Sequence, residues 1–373
     1  MNLMSFLVWS LYVAILYNLI LFNIKKFYLF FYFRMSEHKV LPILMFCALP
    51  ASGKSETRRY LKTLTKEDTK KFHLGETSTQ VADFPYVDGM KKIDDAAQKV
   101  LGHTIFFNTT DFNLFSDYDW ATLIYLINDD YFDILECNPK IPSRFEKDPV
   151  EWLFNRYDVA SVKTGHLPAR FFNLREKVGE EKFAEFKKEC YPLCNTLLHD
   201  KYANIPTSLE GKTIVFEFAR GGTKGQTAPL APPFGYEFSL SCFDKRILNN
   251  AAILYIWVTP EQSKQKAFQR EKEGKEGKSQ TVSTQLSLNH GIAETVLDKE
   301  YGMDDFDYLI SKSPEKNYVP IMKDDVEYKI KAGRLDNRKD LTTCFRKPEK
   351  EWTQEEKDNM FNALKSAFDS LLG

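Results

Sequence analysis

Apolar residues occur in short runs along this chain, and three of the runs predict buried β-strands. Residues 40–48 are bounded by charge before them and by a turn after them. Residues 213–218 are rich in β-branched and aromatic side chains, and residues 252–258 repeat that pattern. Continuous apolar runs of this length are typical of parallel strands covered on both faces. A late run at residues 326–330 is a candidate for one more strand.

Between the predicted strands, apolar residues recur every three to four positions, which predicts helices. The interval at about residues 111–209 contains helical patterns and no strong strand, so we expect a helical insertion there. Strands that alternate with helices favour an α/β fold of three layers with a mainly parallel sheet. The helices are expected at residues 55–64, 86–101, 120–135, 149–159, 174–198, 260–272 and 352–372.

The first 34 residues form a separate apolar segment with two possible interpretations. Residues 3–22 are long enough to cross a bilayer, and Lys25, Lys26 and Arg34 follow them. Read as a transmembrane anchor, this pattern leaves the remainder of the chain on the cytoplasmic side. Alternatively, the segment is not native and the protein starts at Met35. Both interpretations place a domain of residues 35–373 in the cytoplasm, with a membrane contact only through residues 3–22.

Composition narrows the class of protein without deciding its function. The chain has 51 basic and 52 acidic residues, a formal net charge of -1, so we expect no nucleic-acid partner. Its six cysteines follow no paired framework, which indicates reduced thiols and no disulfides. Cys190, Cys194 and His199 lie close together, but no fourth metal ligand is near them. We therefore expect these thiols to face the core.

A phosphate-binding loop follows the first predicted strand. The pattern G-x-x-x-x-G-K-[ST] between a strand and a helix surrounds phosphates with backbone N–H groups. Here Lys54 would reach the β- and γ-phosphates of a nucleoside triphosphate, and the Ser55 hydroxyl would bind Mg²⁺. Ala48 stands where the pattern has Gly, at a cost of roughly 1 kcal/mol if that position needs a left-handed backbone. The loop reads Ala48, Leu49, Pro50, Ala51, Ser52, Gly53, Lys54 and Ser55.

Two further features are consistent with this loop. Glu217 ends an apolar strand, which is where P-loop enzymes place an acid beside Mg²⁺; a strand-end acid without a role is the alternative. The segment 260–300 begins with a cationic helix and continues into a charged, Gly-containing loop at residues 271–285. Such a lid brings cations to the transferring phosphoryl group, with Arg270 as the best candidate. These cations could equally form the solvated face of a helix.

In these motifs the chain resembles the P-loop kinases that include adenylate kinase, gluconate kinase and dephospho-coenzyme A kinase. The resemblance covers residues 40–64, 213–222 and 252–285. It implies ATP, or another nucleoside triphosphate, with Mg²⁺, and it implies that a loop after the last strand holds the base, where Asn337 is the matching residue. Ala48, the long separation of the two phosphate-site motifs and the helical insertion depart from the group.

A kinase also needs groups that bind the acceptor. Asp83 precedes a predicted helix and is the candidate for orienting the acceptor hydroxyl, although an Asp at this place commonly caps the helix. Arg220 directly follows the second strand and could hold an anionic acceptor or pair with a structural acid. Asp304, Asp305 and His290 lie beyond the cationic helix without an assigned role.

Three functions remain open at this point. The first is a phosphotransferase that acts on a small molecule or nucleotide. The second is an ATPase or switch in which hydrolysis drives a partner interaction; it predicts a partner surface in place of a small-molecule pocket. The third is a non-catalytic scaffold, against which the intact sequence Gly53, Lys54, Ser55 counts.

Overall fold

The sheet at the centre of the molecule has six strands in the computed structural model, which describes residues 40–275 and 294–372. Across the sheet the order is β2-β3-β1-β4-β6-β5. All neighbours are parallel except β5 and β6, which are antiparallel. This confirms an α/β fold with a mainly parallel sheet. The strands are β1 (Ile43–Cys47), β2 (Gln80–Ala82), β3 (Ile214–Phe218), β4 (Ala251–Trp257), β5 (Tyr318–Lys323) and β6 (Val326–Asp336).

Helices cover both faces of this sheet, and two short 3₁₀ helices, Thr343–Arg346 and Glu349–Glu351, precede the last of them. The helices are α1 (Lys54–Leu61), α2 (Lys66–Lys71), α3 (Phe84–Leu101), α4 (Asp119–Leu135), α5 (Ser143–Lys147), α6 (Pro149–Lys163), α7 (Arg170–Val178), α8 (Glu180–Ala203), α9 (Gly235–Ser241), α10 (Lys245–Leu248), α11 (Pro260–Lys275), α12 (Glu294–Glu300), α13 (Phe306–Lys312) and α14 (Gln354–Leu372).

The central strand β1 is fully buried and divides the core in two. Ile43, Met45 and Cys47 face the larger cluster, in which helices α3, α4 and α6 to α9 cover the sheet. Leu44 and Phe46 face the smaller cluster, which α1 and α14 cover. Because successive side chains of a strand point to opposite faces, an uninterrupted apolar run is what a strand between two helical layers requires.

Residues 111–209 contain helices α4 to α8 and none of the six strands. The Asp148 carboxylate caps α6 by accepting a hydrogen bond from the Glu151 N–H at 2.9 Å. The single helix expected at residues 174–198 is instead two helices. They separate at Gly179, whose φ of 80° a residue with a side chain rarely adopts.

Two strands, β2 and β5, were not predicted. β2 is an edge strand of three residues, Gln80–Ala82, too short to show a period in the sequence. β5 forms an antiparallel hairpin with β6, and β6 itself extends well beyond the predicted residues 326–330. Its turn contains Asp324 and Asp325, both with positive φ. Acidic residues tolerate this backbone in tight turns, so this pair was the available signal for the hairpin.

Some expectations concern residues outside the described ranges. They include the apolar segment 1–34, most of the charged loop at residues 271–285, and His290. Within residues 40–275 and 294–372, no helix is both long and apolar enough to cross a membrane.

We expect Gly333→Ala to destabilise the protein by about 1–3 kcal/mol, because this glycine brings β6 close to α14. A Cβ atom at Gly333 would lie 2.1 Å from the carbonyl oxygen of Ala367. The free energy of unfolding, measured by urea denaturation, checks this. Ser366→Ala on the exposed side of α14 is the matched control and should change stability by less than about 0.5 kcal/mol. Equal stability of the two variants would contradict the close approach.

Candidate functional site

The loop between β1 and α1 turns through two left-handed residues. Ala51 has a φ of 53° and Gly53 a φ of 104°. Ala48 is not among the described residues with positive φ, so the strain considered for an alanine at this position does not arise. Gly53 is also required for space, since a Cβ atom there would lie 2.3 Å from Thr342 Oγ1. The loop conformation therefore depends on Gly53, the one glycine of residues 48–55, and does not require a glycine at position 48.

Three side chains from distant parts of the chain hold the backbone of this loop. The Tyr236 hydroxyl, at the start of α9, accepts a hydrogen bond from the Ala48 N–H at 2.6 Å and lies 2.9 Å from the Ala48 carbonyl oxygen. From α11, the Ser263 hydroxyl donates to the Pro50 carbonyl at 2.7 Å. After β6, the Asn337 amide donates to the Ser52 carbonyl at 2.7 Å. The loop is thus fixed from three directions before any ligand binds.

Asn337 has a supporting role that differs from the one expected. It is fully buried, and its amide donates to both Ser52 and Thr342, while its Oδ1 accepts from the Leu341 N–H. Both polar atoms of the side chain, Nδ2 and Oδ1, are therefore engaged inside the protein. Asn337 consequently has no free polar atom with which to contact a nucleotide base, which corrects that expectation.

Lys54 is the first residue of α1, and its ammonium group folds back over the loop. Nζ donates to the carbonyl oxygens of Ala48 at 3.1 Å and Leu49 at 3.0 Å. Burial lowers the pKa of Lys54 to about 8, although nearby Glu217 and Asp83 oppose the shift. No side chain caps the N-terminus of α1, so its first N–H groups are available to an anion.

The strand-end acid Glu217 lies beside this loop. In the sheet it is paired with Phe46 of β1 and Ala82 of β2. Its carboxylate forms an ion pair with Arg58 of α1, with Oε1 2.6 Å from Nε. Glu217 therefore lies at the carboxyl end of the strand next to the loop, the position that the sequence predicts. Its ion pair with Arg58 was not predicted.

Arg270 is tied to the first turn of α1. Its guanidinium lies 2.6 Å from Glu56 Oε1, and Arg346 Nε lies 2.7 Å from the same oxygen. Burial would raise the pKa of Glu56, but the two guanidinium groups outweigh this and lower it. Arg270 also lines the cavity described below, so it stands beside the loop as expected.

Asp83 and Arg220 form a buried ion pair, with Asp83 Oδ2 2.5 Å from Arg220 NH1. Asp83 occupies the position before α3, but its side chain does not cap the helix. The Arg220 guanidinium lies 5.1 Å from the centroid of the Trp120 ring and is only 2% exposed. Arg220 was expected either to hold an anionic acceptor or to pair with a structural acid, and in the structure it pairs with an acid. Asp83 lines the cavity and Arg220 does not.

A cavity of about 930 Å³ opens from the loop. The end next to the loop, which we call the loop end, includes Lys54, Ser55, Glu217 and Arg270. Its other part, the far end, is bounded by α3, α12 and the segment 104–114. Aromatic side chains make up much of the far end: Phe84, Phe107, Phe112, Trp120, Phe268 and Tyr301.

Asp94 fixes the segment that forms one wall of the far end. Its carboxylate accepts hydrogen bonds from three successive backbone N–H groups, those of Ile105, Phe106 and Phe107. The Thr295 hydroxyl of α12 donates to the Asp111 carbonyl at 2.8 Å, which joins this wall to the next. Sequence reasoning missed these residues, because a buried Asp in a helix has no distinctive local signal.

Asp304 and Asp305, which had no assigned role, form hydrogen bonds that support residues near the loop. Asp305 accepts hydrogen bonds from the N–H groups of Tyr236 and Glu237 and thereby positions the tyrosine. Asp304 accepts from the Tyr255 hydroxyl at 2.8 Å, and burial raises its pKa to about 6.

The cysteine expectation is confirmed for Cys190 and Cys194, which are buried in the larger core as free thiols. Across the described ranges, no group of three or more His, Cys, Asp or Glu residues is arranged to hold a metal ion.

Tyr236→Phe should loosen the loop, because removing the hydroxyl leaves the buried Ala48 N–H without a partner, at about 1–3 kcal/mol. We expect faster hydrogen exchange in a peptide covering residues 48–55, measured by mass spectrometry. Tyr157→Phe is the matched control, since its hydroxyl is equally buried and donates to the Tyr86 carbonyl. If both variants left exchange in the loop unchanged, Tyr236 would not support it.

The site thus combines an uncapped helix N-terminus, a partly buried lysine and a strand-end carboxylate at one end of a cavity with aromatic walls. Free N–H groups at a helix N-terminus and a nearby ammonium group are a combination that suits an anion. Comparison of the chain with protein-family models, with curated proteins and with solved structures found no match in any of the three.

Proposed function

We propose that this protein is an ATP- and Mg²⁺-dependent phosphotransferase of the P-loop kind that acts on a small molecule. The observation that carries the proposal is the loop itself: it joins a buried parallel strand to an uncapped helix that begins with Lys54, it contains two left-handed residues, and residues 50–55 line the cavity. A helix N-terminus with a lysine at its first position is suited to a chain of phosphates.

Each residue at the loop end has a defined task in this proposal. Lys54 leaves the carbonyl oxygens of Ala48 and Leu49 and binds the β- and γ-phosphates. Arg270, held by Glu56, adds positive charge beside the phosphoryl group as it is transferred. Charge stabilisation and positioning account for most of the catalysis in phosphoryl transfer, so these fixed cations are the main contribution of the protein.

The residues at the loop end also fit Mg²⁺. This ion prefers oxygen ligands, and Ser55 and Glu217 supply a hydroxyl and a carboxylate on the same side of the cavity. Oε1 of Glu217 accepts no hydrogen bond from any residue that the structure describes and has only its ion pair with Arg58. When bound, Mg²⁺ would neutralise charge on the β- and γ-phosphates.

The acceptor hydroxyl approaches from the far end of the cavity. Its oxygen forms a bond to the γ-phosphorus while the bond from that phosphorus to the β-γ bridging oxygen breaks and leaves ADP. The hydroxyl proton passes to Asp83 and from there to solvent. Arg220 occupies Oδ2 of Asp83, and no hydrogen bond to Oδ1 comes from the described part of the chain. Oδ1 is thus the atom that can orient the acceptor.

The cavity favours a kinase over an ATPase or switch. A switch needs a partner surface at its phosphate site, whereas here a deep volume of about 930 Å³ adjoins the loop. Volumes of several hundred Å³ with mostly apolar walls are typical of small-molecule sites.

ATP binding tests the proposal. Lys54→Ala should weaken the binding of Mg-ATP about 10- to 100-fold, because it removes a charge-assisted hydrogen bond, as measured by isothermal titration calorimetry. Lys66→Ala is the control, an exposed lysine at the start of α2, and should leave affinity unchanged. Undetectable Mg-ATP binding by the unmodified protein would refute both the kinase and the switch. ADP release that is independent of any acceptor would favour the switch.

The affinity for Mg-ATP should also depend on pH. Because the pKa of Lys54 in the free protein is about 8, the ammonium is present below that pH and is lost as the pH rises through it. Binding above pH 8 then requires proton uptake, so the Kd should rise from pH 8 to 9.5, approaching tenfold per pH unit. The Lys54→Arg variant stays positively charged throughout this pH range. It should bind Mg-ATP more weakly than the unmodified protein at pH 8, but its Kd should not change between pH 8 and 9.5. A flat profile for the unmodified protein would show that Lys54 stays charged when free.

A further inference from the structure

The far end of the cavity is lined by more carboxylates than basic side chains. Apart from the residues of the loop end, its described lining contains six carboxylates and two lysines, Lys91 and Lys92. Which of these carboxylates is left for a ligand depends on their partners within the protein. The six carboxylates belong to Asp83, Asp88, Asp94, Asp95, Glu294 and Glu300.

Most of these acids are already satisfied within the protein. Asp83 pairs with Arg220, Asp88 with Lys92 and Glu294 with Lys264. The three backbone N–H groups described above satisfy Asp94.

Glu300, at the end of α12, differs from these acids. It is 3% exposed, and its Oε2 accepts a hydrogen bond from the indole N–H of Trp120 at 2.7 Å. Among the described residues, no donor forms a well-aligned hydrogen bond to Oε1. Its partner is a long ion pair with the Lys299 ammonium, which lies 3.5 Å away and is also held by Asp117 at 2.7 Å. A buried carboxylate oxygen in a cavity wall is costly to leave without a donor, which a ligand could supply.

The aromatic walls favour the same kind of donor. Phe84, Phe107 and Trp120 line the far end, and Phe268 and Phe112 lie at its exposed border. The faces of aromatic rings carry negative potential and attract ammonium groups, most strongly where water is excluded. The Trp120 ring already has the Arg220 guanidinium 5.1 Å from its centroid, so the phenylalanine rings of the far end are the ones that, together with Glu300, suit an organic cation.

We infer that the acceptor is a hydroxyl compound with an ammonium group, and that this group binds between Glu300 and the aromatic walls. The inference rests on the proposed function and adds the class of acceptor. The hydroxyl then faces Asp83 and the γ-phosphate, and the transfer proceeds with the bond changes given above. The ammonium keeps its protons throughout, since it binds and does not react.

Matched alcohols test the inference. Each set has an ammonium, an uncharged and a carboxylate member of similar size: 3-aminopropan-1-ol, butan-1-ol and 4-hydroxybutanoate; glucosamine, glucose and glucuronate; phenylalaninol, 3-phenylpropan-1-ol and 3-phenyllactate. Acceptor-dependent ADP release from Mg-ATP gives kcat/KM, and calorimetry with the same compounds gives Kd. In at least one set the ammonium member should exceed its uncharged partner about tenfold or more, and the carboxylate member should be the poorest.

Glu300→Gln separates a recognition role from a structural one. The amide can still accept the Trp120 hydrogen bond, so the fold is retained while the negative charge is lost. The ratio of kcat/KM, or of Kd, between ammonium and uncharged members should fall about tenfold. Asp298→Asn is the control, because it removes a charge from the same helix outside the cavity lining and should preserve the ratio.

Three results overturn the inference: equal or better performance of the uncharged or carboxylate members, an unchanged ratio in Glu300→Gln, or no saturable binding of any ammonium member at millimolar concentration. Mg-ATP binding and its loss in Lys54→Ala are measured on the same preparation. Retained ATP binding without ammonium preference refutes the acceptor class alone. Absent ATP binding refutes the proposed function.

Discussion

The loop between β1 and α1 depends on hydrogen bonds from remote residues, and the rest of the site depends on this loop. Its carbonyl groups at Pro50 and Ser52 are bound by Ser263 and Asn337, which lie 213 and 285 positions away in the sequence. Tyr236, 188 positions from Ala48, binds the N–H at the start of the loop. A buried backbone group without a partner is costly, so the loop reaches its final form only when these segments have assembled around β1.

The topology explains why the cavity opens where it does. β1 lies at the centre of the sheet, and the helix that follows it, α1, packs on the smaller core. The segment after the neighbouring strand β3 leads to α9, whose Tyr236 belongs to the larger core. Where the connections from adjacent parallel strands go to opposite faces, a crevice forms at their carboxyl ends. Lys54 and Glu217 both lie at this crevice, and this is the reason why two motifs far apart in the sequence meet.

The loop between β1 and α1 and the strand β3 could be predicted from the sequence because they depend on local signals. A buried strand, a glycine at a left-handed position and a lysine at a helix start are neighbours in the chain, and β3 with Glu217 is a short apolar run of the same kind. The partners of the candidate residues could not be predicted in this way. Arg58, Glu56 and Tyr236 are ordinary residues in helices until the fold brings them to Glu217, Arg270 and Ala48. The sequence predicts that Asn337 lies in a loop, and a contact with the ligand was expected for that reason. Its burial against Ser52 could not be predicted from neighbouring residues.

The two ends of the cavity differ in the charged side chains that line them, and this constrains how two substrates can bind together. Lys54 and Arg270 stand at the loop end, whereas carboxylates exceed lysines at the far end. A triphosphate placed at the far end would face Glu300 and its acidic neighbours, and a cation placed at the loop end would face Lys54. Only one arrangement therefore avoids like-charge contacts at both ends. In the proposed arrangement, the charges that select an ammonium acceptor would also align its hydroxyl with the γ-phosphate, so recognition of charge and orientation for transfer would be one property of the site.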